Sequence, residues 1–343
     1  MGGQIAPPPA GPSTPEKDPM QRSLDREAAP RGRRAVSLLR TAVAALLAAG
    51  LGCVGSMAIA APALKSDRFR VTYQPPEDPA YRTMYEELQE SQVLESLRSV
   101  LSFVRLPRTV RLVLVDCDGD ANAYYDPDEL TVSVCYEYVR ELRKLAENPG
   151  RPAGISAESA VRSKLLEIFL HESAHALFDQ LRIPIIGRQE EAADVLAGVV
   201  ILHMRSRSAR ETVQGIVWMY AQEAKEERVG RKKLADVHLL AEQRYYNWMC
   251  LAYGARPALF ADLVRDNMLT AERAETCQDE YRRAAYAVTK LMGPYLDIGL
   301  RDKVLAHQLV PGGDGTAVAA RRPSETVRPT TPSSGRGPAA RNR

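Results

Sequence analysis

The chain has 343 residues, of which 26% are charged and 45% hydrophobic. That balance excludes a mostly disordered chain, a collagen-like repeat and a multi-span membrane protein. The net charge of +3 is unevenly placed: residues 1–63 carry +3 and residues 311–343 carry +4, so 64–310 carries −4 and offers no basic face for nucleic acid.

Residues 1–30 are rich in Pro, Gly, Ala and charge without a hydrophobic period, which predicts a disordered arm. Arg31, Arg33, Arg34 and Arg40 then precede an uncharged stretch from Thr41 to Leu64. A positive segment followed by an apolar one reads as a signal peptide over 31–63, with Ala58-Ile59-Ala60 as a cleavage site, or as a signal anchor. The apolar stretch is long enough to span a bilayer, so an uncleaved leader would attach the chain to a membrane through residues 41–63. Both readings place the core outside the cytoplasm: periplasmic, extracellular or membrane-anchored. A single folded domain is expected over 64–310, followed by a Gly-, Pro-, Ser-, Thr- and Arg-rich tail over 311–343 that reads as disordered.

Within the domain, Phe69-Arg70-Val71-Thr72-Tyr73 alternates and predicts a strand. Met84, Leu88, Val93, Leu94, Leu97, Val100 and Leu101 fall at helical spacing and predict one helix over 80–104. Val110, Leu112 and Leu114 predict a second strand, and Leu130, Val132, Val134 and Tyr136 a third. Cys117 and Cys135 lie near strand ends, where adjacent strands would bring them within disulfide reach. From 156 onward the pattern is helical: a first helix up to Leu181, a second over 189–204, then 209–227, 231–252, 256–264, 270–292 and 296–308.

The first of these helices carries His171-Glu172-Ser173-Ala174-His175. Residues four apart share a helix face, so both imidazoles can point at one ion. Glu172 lies about 100° round the axis, where it can flank the ion and act as a general base on bound water. Zinc suits imidazole and carboxylate ligands, and one Zn2+ per chain is expected. After a turn containing Pro184 and Gly187 comes Glu190-Glu191-Ala192-Ala193-Asp194. Glu190 is placed to be the third ligand, with Glu191 as the alternative. Asp194, one turn further, can accept the outer N–H of a ligand histidine. Read alone, the three acids are an acidic first turn that suits the helix dipole. Phe178 and Leu181 exclude the extended three-histidine pattern. Peptide hydrolysis also needs an oxyanion donor. His238, Tyr245 and Tyr246 on one predicted helix over 236–251 are the candidates, His238 and Tyr245 being seven apart and so on one face, with Tyr124 a further one; read alone, His238 is a core or surface histidine.

HExxH followed by ExxxD resembles the gluzincin metallopeptidases of the thermolysin type. By that resemblance Asn122-Ala123-Tyr124-Tyr125 lies on the edge strand of the cleft, with Asn122 and Ala123 binding substrate main chain; read from the residues alone it is a polar turn. Together with Cys117, Cys135-Tyr136-Glu137, Gln243-Arg244-Tyr245-Tyr246 and Cys250, these segments are similar to the bacterial "putative metallopeptidase" family of unknown function, over about 68–300. The resemblance implies zinc, peptidase-like chemistry and a peptide or protein substrate. Proximity in the chain pairs Cys117 with Cys135 and Cys250 with Cys277, as an oxidising compartment allows. The expected fold is α+β and zincin-like: a small N-terminal sheet packed on the HExxH helix, with a mostly helical C-terminal half. The expected function is an exported zinc metallopeptidase. The alternative is a catalytically inactive zinc-binding envelope protein with a peptidase-like fold.

Overall fold

The structure is a computed structural model in which residues 63–299 are described. The leader, both predicted disordered ends and most of the helix expected over 296–308 lie outside those residues.

Four strands form one mixed sheet in the order β1-β2-β4-β3. Strands β1 (Phe69–Tyr73), β2 (Val110–Val115) and β4 (Thr131–Cys135) run parallel, and the short β3 (Ala123–Asp126) is antiparallel to β4 at the edge. Every residue of β4, an inner strand of the sheet, is buried. The sequence reading found three strands; β3 follows the place implied by the family resemblance.

The helix expected over 80–104 is two helices, α1 (Arg82–Glu90) and α2 (Val93–Leu101). Gln92 breaks the run at φ 52°, in the left-handed region. The cause lies far away in sequence. The Tyr73 hydroxyl of β1 accepts from Leu94 N at 3.0 Å and donates to Glu95 at 2.7 Å, tying the start of α2 to the sheet. Tyr136 does not end a strand but begins α3 (Tyr136–Ala146), whose Tyr136, Val139, Leu142 and Leu145 face the core.

The remaining helices are α4 (Ala157–Leu181), α5 (Gln189–Leu202), α6 (Ser206–Glu226), the single-turn α7 (Arg231–Leu234), α8 (Ala241–Ala255), the single-turn α9 (Asp262–Arg265) and α10 (Ala271–Met292). Ser156 caps α4 by accepting from Ser159 N at 3.0 Å. The expected apolar stripe of α4 is buried, but so are Lys164, Glu167, His171, Glu172 and Ser173 on its other faces. A helix enclosed on nearly all sides is the central beam of the molecule: sheet strands β3 and β4 lie against it, as do α3, α5 and α6.

Two disulfides cross-link the fold, Cys117–Cys135 beside the sheet and Cys250–Cys277 between α8 and α10. Beside the second, a Cβ on Gly254 would lie 2.1 Å from the carbonyl oxygen of Cys277, so only glycine permits the approach. Among the described residues no helix is long and apolar enough to cross a membrane.

Candidate metal centre

The chain reverses between α4 and α5. Arg182 takes a left-handed conformation, Ile183 N donates back to Phe178 O at 2.9 Å, and Gly187 has φ 97°. This seven-residue turn lays α5 against α4 and sets Glu190, in the first turn of α5, opposite the two histidines. His171 Nε2 lies 3.1 Å from Glu190 Oε2 and 3.2 Å from His175 Nε2, and His175 Nε2 lies 3.4 Å from the same carboxylate oxygen. Glu191, the alternative ligand, instead lies exposed with Oε1 3.9 Å from Arg188 Nε.

The spacing of these three atoms tests whether they fit a metal ion. Tetrahedral zinc with bonds of about 2.0–2.1 Å has ligand–ligand edges of about 3.3–3.4 Å. The observed triangle has sides of 3.1, 3.2 and 3.4 Å. Two imidazoles and one carboxylate are a donor set that suits zinc and leaves a fourth position for water. The residues therefore fit the ion. A second grouping able to hold a metal, Glu167 with His171 and Asp194, uses the other side of the same imidazole, and its carboxylates are occupied by protein cations. A third, Cys117 with Cys135 and Glu137, contains the disulfide and has no free thiolate.

Behind the triangle stands a layer of buried charge. His171 Nδ1 lies 2.7 Å from Asp194 Oδ1, so its N–H donates there and Nε2 is directed at the ion position. Burial pushes the His171 pKa down, but Asp194 and Glu190 outweigh it and raise it to about 9. Asp194 is gripped by Arg244, whose Nε donates to Oδ2 at 2.8 Å and whose Nη2 donates to Oδ1. Arg244 Nη2 also reaches Glu167 Oε1 at 3.1 Å. Glu167, fully buried one turn before His171, also takes Tyr220 OH at 2.9 Å and pairs with Lys164 at 3.1 Å. The Tyr220 ring lies between two cations, 3.2 Å from Lys164 Nζ and 4.7 Å from Arg244 Cζ. The sequence reading did not single out Glu167, Lys164, Tyr220 or the grip of Arg244. Glu167, His171 and His175 repeat at four-residue spacing, and charged residues inside an apolar helix were the available signal.

Glu172 lines both halves of a cleft beside the triangle, shared with Asn122, Ala123 and His238. It is buried, and that burial raises its pKa above the ordinary carboxylate value. One half of the cleft runs inward past Tyr138, Tyr220 and Glu223; the other runs along β3 past Tyr124, Tyr125 and Asp179.

The β3 rim is built from the loop that precedes it. Cys117–Cys135 closes this loop, and the fully buried Glu137 accepts from Gly119 N at 2.9 Å and from Cys117 N at 3.2 Å. Cys135 N donates to Asn122 O at 3.0 Å. In an antiparallel ladder this makes the Asn122–Cys135 pair hydrogen-bonded, so residues 123 and 125 direct their main-chain groups to the open edge. Asn122 Oδ1 accepts from Ala123 N at 2.9 Å, which leaves the Ala123 carbonyl and both main-chain groups of Tyr125 for the cleft. The side-chain hydroxyl of Tyr125 is tied to Asp179 at 2.8 Å, and the side chain of Tyr124 is exposed in the outer half of the cleft.

The helix expected over 236–251 begins only at Ala241. Leu240 N donates to Gln243 Oε1 at 3.1 Å and Ala241 N to Glu227 Oε2 at 3.0 Å, and these fix the start of α8. His238 thus lies on a strap before the helix, and its placement on one helical face with Tyr245 is overturned. The strap still brings His238 to the site: Nε2 is 3.0 Å from Glu190 Oε2 and Nδ1 is 3.2 Å from Asp236 Oδ1. Those carboxylates raise its pKa, Glu190 foremost. Tyr245 packs edge-on against Tyr246 and lines neither half of the cleft.

A mixed sheet with an antiparallel edge strand, lying along an HExxH helix whose following helix returns a carboxylate, defines a metallopeptidase-like protein. The chain belongs to the family described as "Putative metallopeptidase", whose profile matches residues 73–292. No curated protein and no solved structure matches it.

Proposed function

We propose that the chain is an exported zinc-dependent metallopeptidase, with a single domain over 64–310. The convergence of His171, His175 and Glu190 on one point, with Glu172 beside them in the cleft, carries this reading. His171, His175 and Glu190 would hold the ion. Zinc supplies a Lewis acid that polarises the carbonyl and acidifies a bound water.

The protein's own residues do the rest. Asp194 holds His171 in the tautomer that presents Nε2. Ala123 and Tyr125 offer main-chain groups to an extended peptide added to β3, and Asn122 shapes that rim. Glu172 takes the proton of the attacking water and returns it to the leaving amine; burial raises its proton affinity toward that task. His238, whose Nε2 lies 3.0 Å from Glu190 Oε2, would be the donor to the developing oxyanion. The two disulfides suit the oxidising compartment that export implies.

Metal analysis tests the reading. Protein purified without added metal or chelator is expected to hold near-stoichiometric zinc, lost in His171→Ala and Glu190→Ala. Glu172→Gln is expected to keep zinc and lose cleavage of a peptide library. A folded wild type that takes up no zinc would overturn the proposal. Zinc binding with equal turnover in wild type and Glu172→Gln would leave the zinc-binding envelope protein as the better reading.

A further inference from the structure

The strap between α6 and α8 carries exposed apolar side chains. Among the exposed large apolar side chains, Val229 is 58% exposed, Leu234 63% and Val237 62%. Ile186, on the α4–α5 turn, is 102% exposed. The turn and the strap border one depression, lined by Arg188 and Glu191 from one side, 3.9 Å apart, and by Lys233, Leu234 and His238 from the other. Arg228, Arg231 and Lys232 are exposed on the same strap and make no ion pair among the described residues. Lys233 pairs with Glu227 at 3.1 Å and adds no free charge.

A patch of this kind is costly to leave in water. Val229, Leu234 and Val237, each exposed by more than half, lie within nine residues of one strap. Unpaired cations next to them exclude an ordinary apolar protein interface, whose centre is depleted of charge. Apolar side chains that enter the acyl boundary, flanked by cations at the depth of anionic headgroups, are the composition of a surface-seeking membrane contact. We infer that the strap Arg228–Val237, with Ile186 on the neighbouring α4–α5 turn, docks on an anionic lipid surface. Charge complementarity selects this occupant. His238 ends the same strap and touches Glu190, so docking would bring the mouth of the cleft to the membrane plane. The inference needs neither bound metal nor peptidase activity.

Hydrogen–deuterium exchange on the full chain tests it, because the readout is local and separates the strap from the apolar stretch at 41–63. Vesicles of phosphatidylcholine mixed with phosphatidylglycerol are compared with vesicles of phosphatidylcholine alone. The expected result is exchange slowed about tenfold in peptides covering 228–238 and 184–188, with the anionic vesicles only, and reversed by high salt. The charge-reversed variant R228E/R231E/K232E and, separately, L234S/V237S are expected to lose this protection while unfolding at the wild-type temperature. Unchanged exchange of the strap on vesicle-bound protein would overturn the inference. So would equal protection by neutral vesicles, or protection by polyglutamate and not by lipid, which would identify an acidic protein partner instead.

Discussion

Replacing Arg244 by Met is the most searching perturbation of the metal centre, because it touches no ligand. The guanidinium bridges two helices: it donates to both oxygens of Asp194 on α5 and to Glu167 on α4. Methionine fills much of the same volume, so the loss is chiefly of charge. Glu167 keeps Lys164 at 3.1 Å and Tyr220 OH at 2.9 Å, whereas Asp194 keeps only His171. Removing one partner of a buried ion pair costs about 3–5 kcal/mol, and the surviving partners of Glu167 argue for the lower end, about 3 kcal/mol. For a domain of this size that corresponds to a fall in Tm of about 6–12 °C. Asp194, no longer held, also loses its hold on His171, and losing such a supporting contact weakens metal binding by about 10–100-fold. The assays are thermal unfolding in chelator, which isolates the first effect, and zinc competition against a chromophoric chelator, which isolates the second. The double variant R244M/D194N, which removes the stranded carboxylate as well, is expected to recover part of the stability but none of the zinc affinity. A single variant within about 0.5 kcal/mol of wild type, or with unchanged zinc affinity, would refute the reasoning.

Three further outcomes are expected. The double variant C117S/C135S opens a loop of sequence separation 18 and is expected to lose about 3 kcal/mol by denaturant titration; because that loop carries the β3 rim, KM for peptide should rise more than kcat falls. Gly254→Ala drives a methyl into the Cys277 carbonyl and is expected to cost about 1–3 kcal/mol, read as a shift in denaturation midpoint, with zinc content unchanged. Asp262 pairs with Arg210 at 2.8 Å, and that hydrogen bond holds its pKa below the ordinary value. A lowered folded pKa contributes stability above the unfolded pKa and loses it as pH falls through the folded one, so Asp262→Asn should cost about 1 kcal/mol at neutral pH, and the gap from wild type should close in strong acid.

What the sequence made legible was local. His171, His175, Glu190 and Asp194 follow from four-residue spacing and one tight turn, and they meet as that spacing predicts. The disulfide partners were found by proximity along the chain. Some misreadings have distant causes and others local ones. The helix over 80–104 was split by a tyrosine from β1. The start of α8 was moved by Glu227 and Gln243, which released His238 from its supposed helical face. The third strand, expected from Leu130 to Tyr136, runs from Thr131 to Cys135; Tyr136 continues the alternation but, with Val139 and Leu142, begins a helical period. Glu167 and Arg244 lie 77 residues apart, and no pattern in either neighbourhood announces that they will meet.

The charged layer behind the triangle also orders events in time. The proposed ligands come from two helices, and the carboxylate that would steady one of them is held by an arginine 50 residues further along the chain. Until α4, α5 and α8 have closed on each other there is no arrangement for an ion to join, and an extended polypeptide offers only scattered, weakly binding side chains. A chain translocated before it folds would therefore arrive empty. On the proposed reading, any metal would then come from the compartment in which the chain folds.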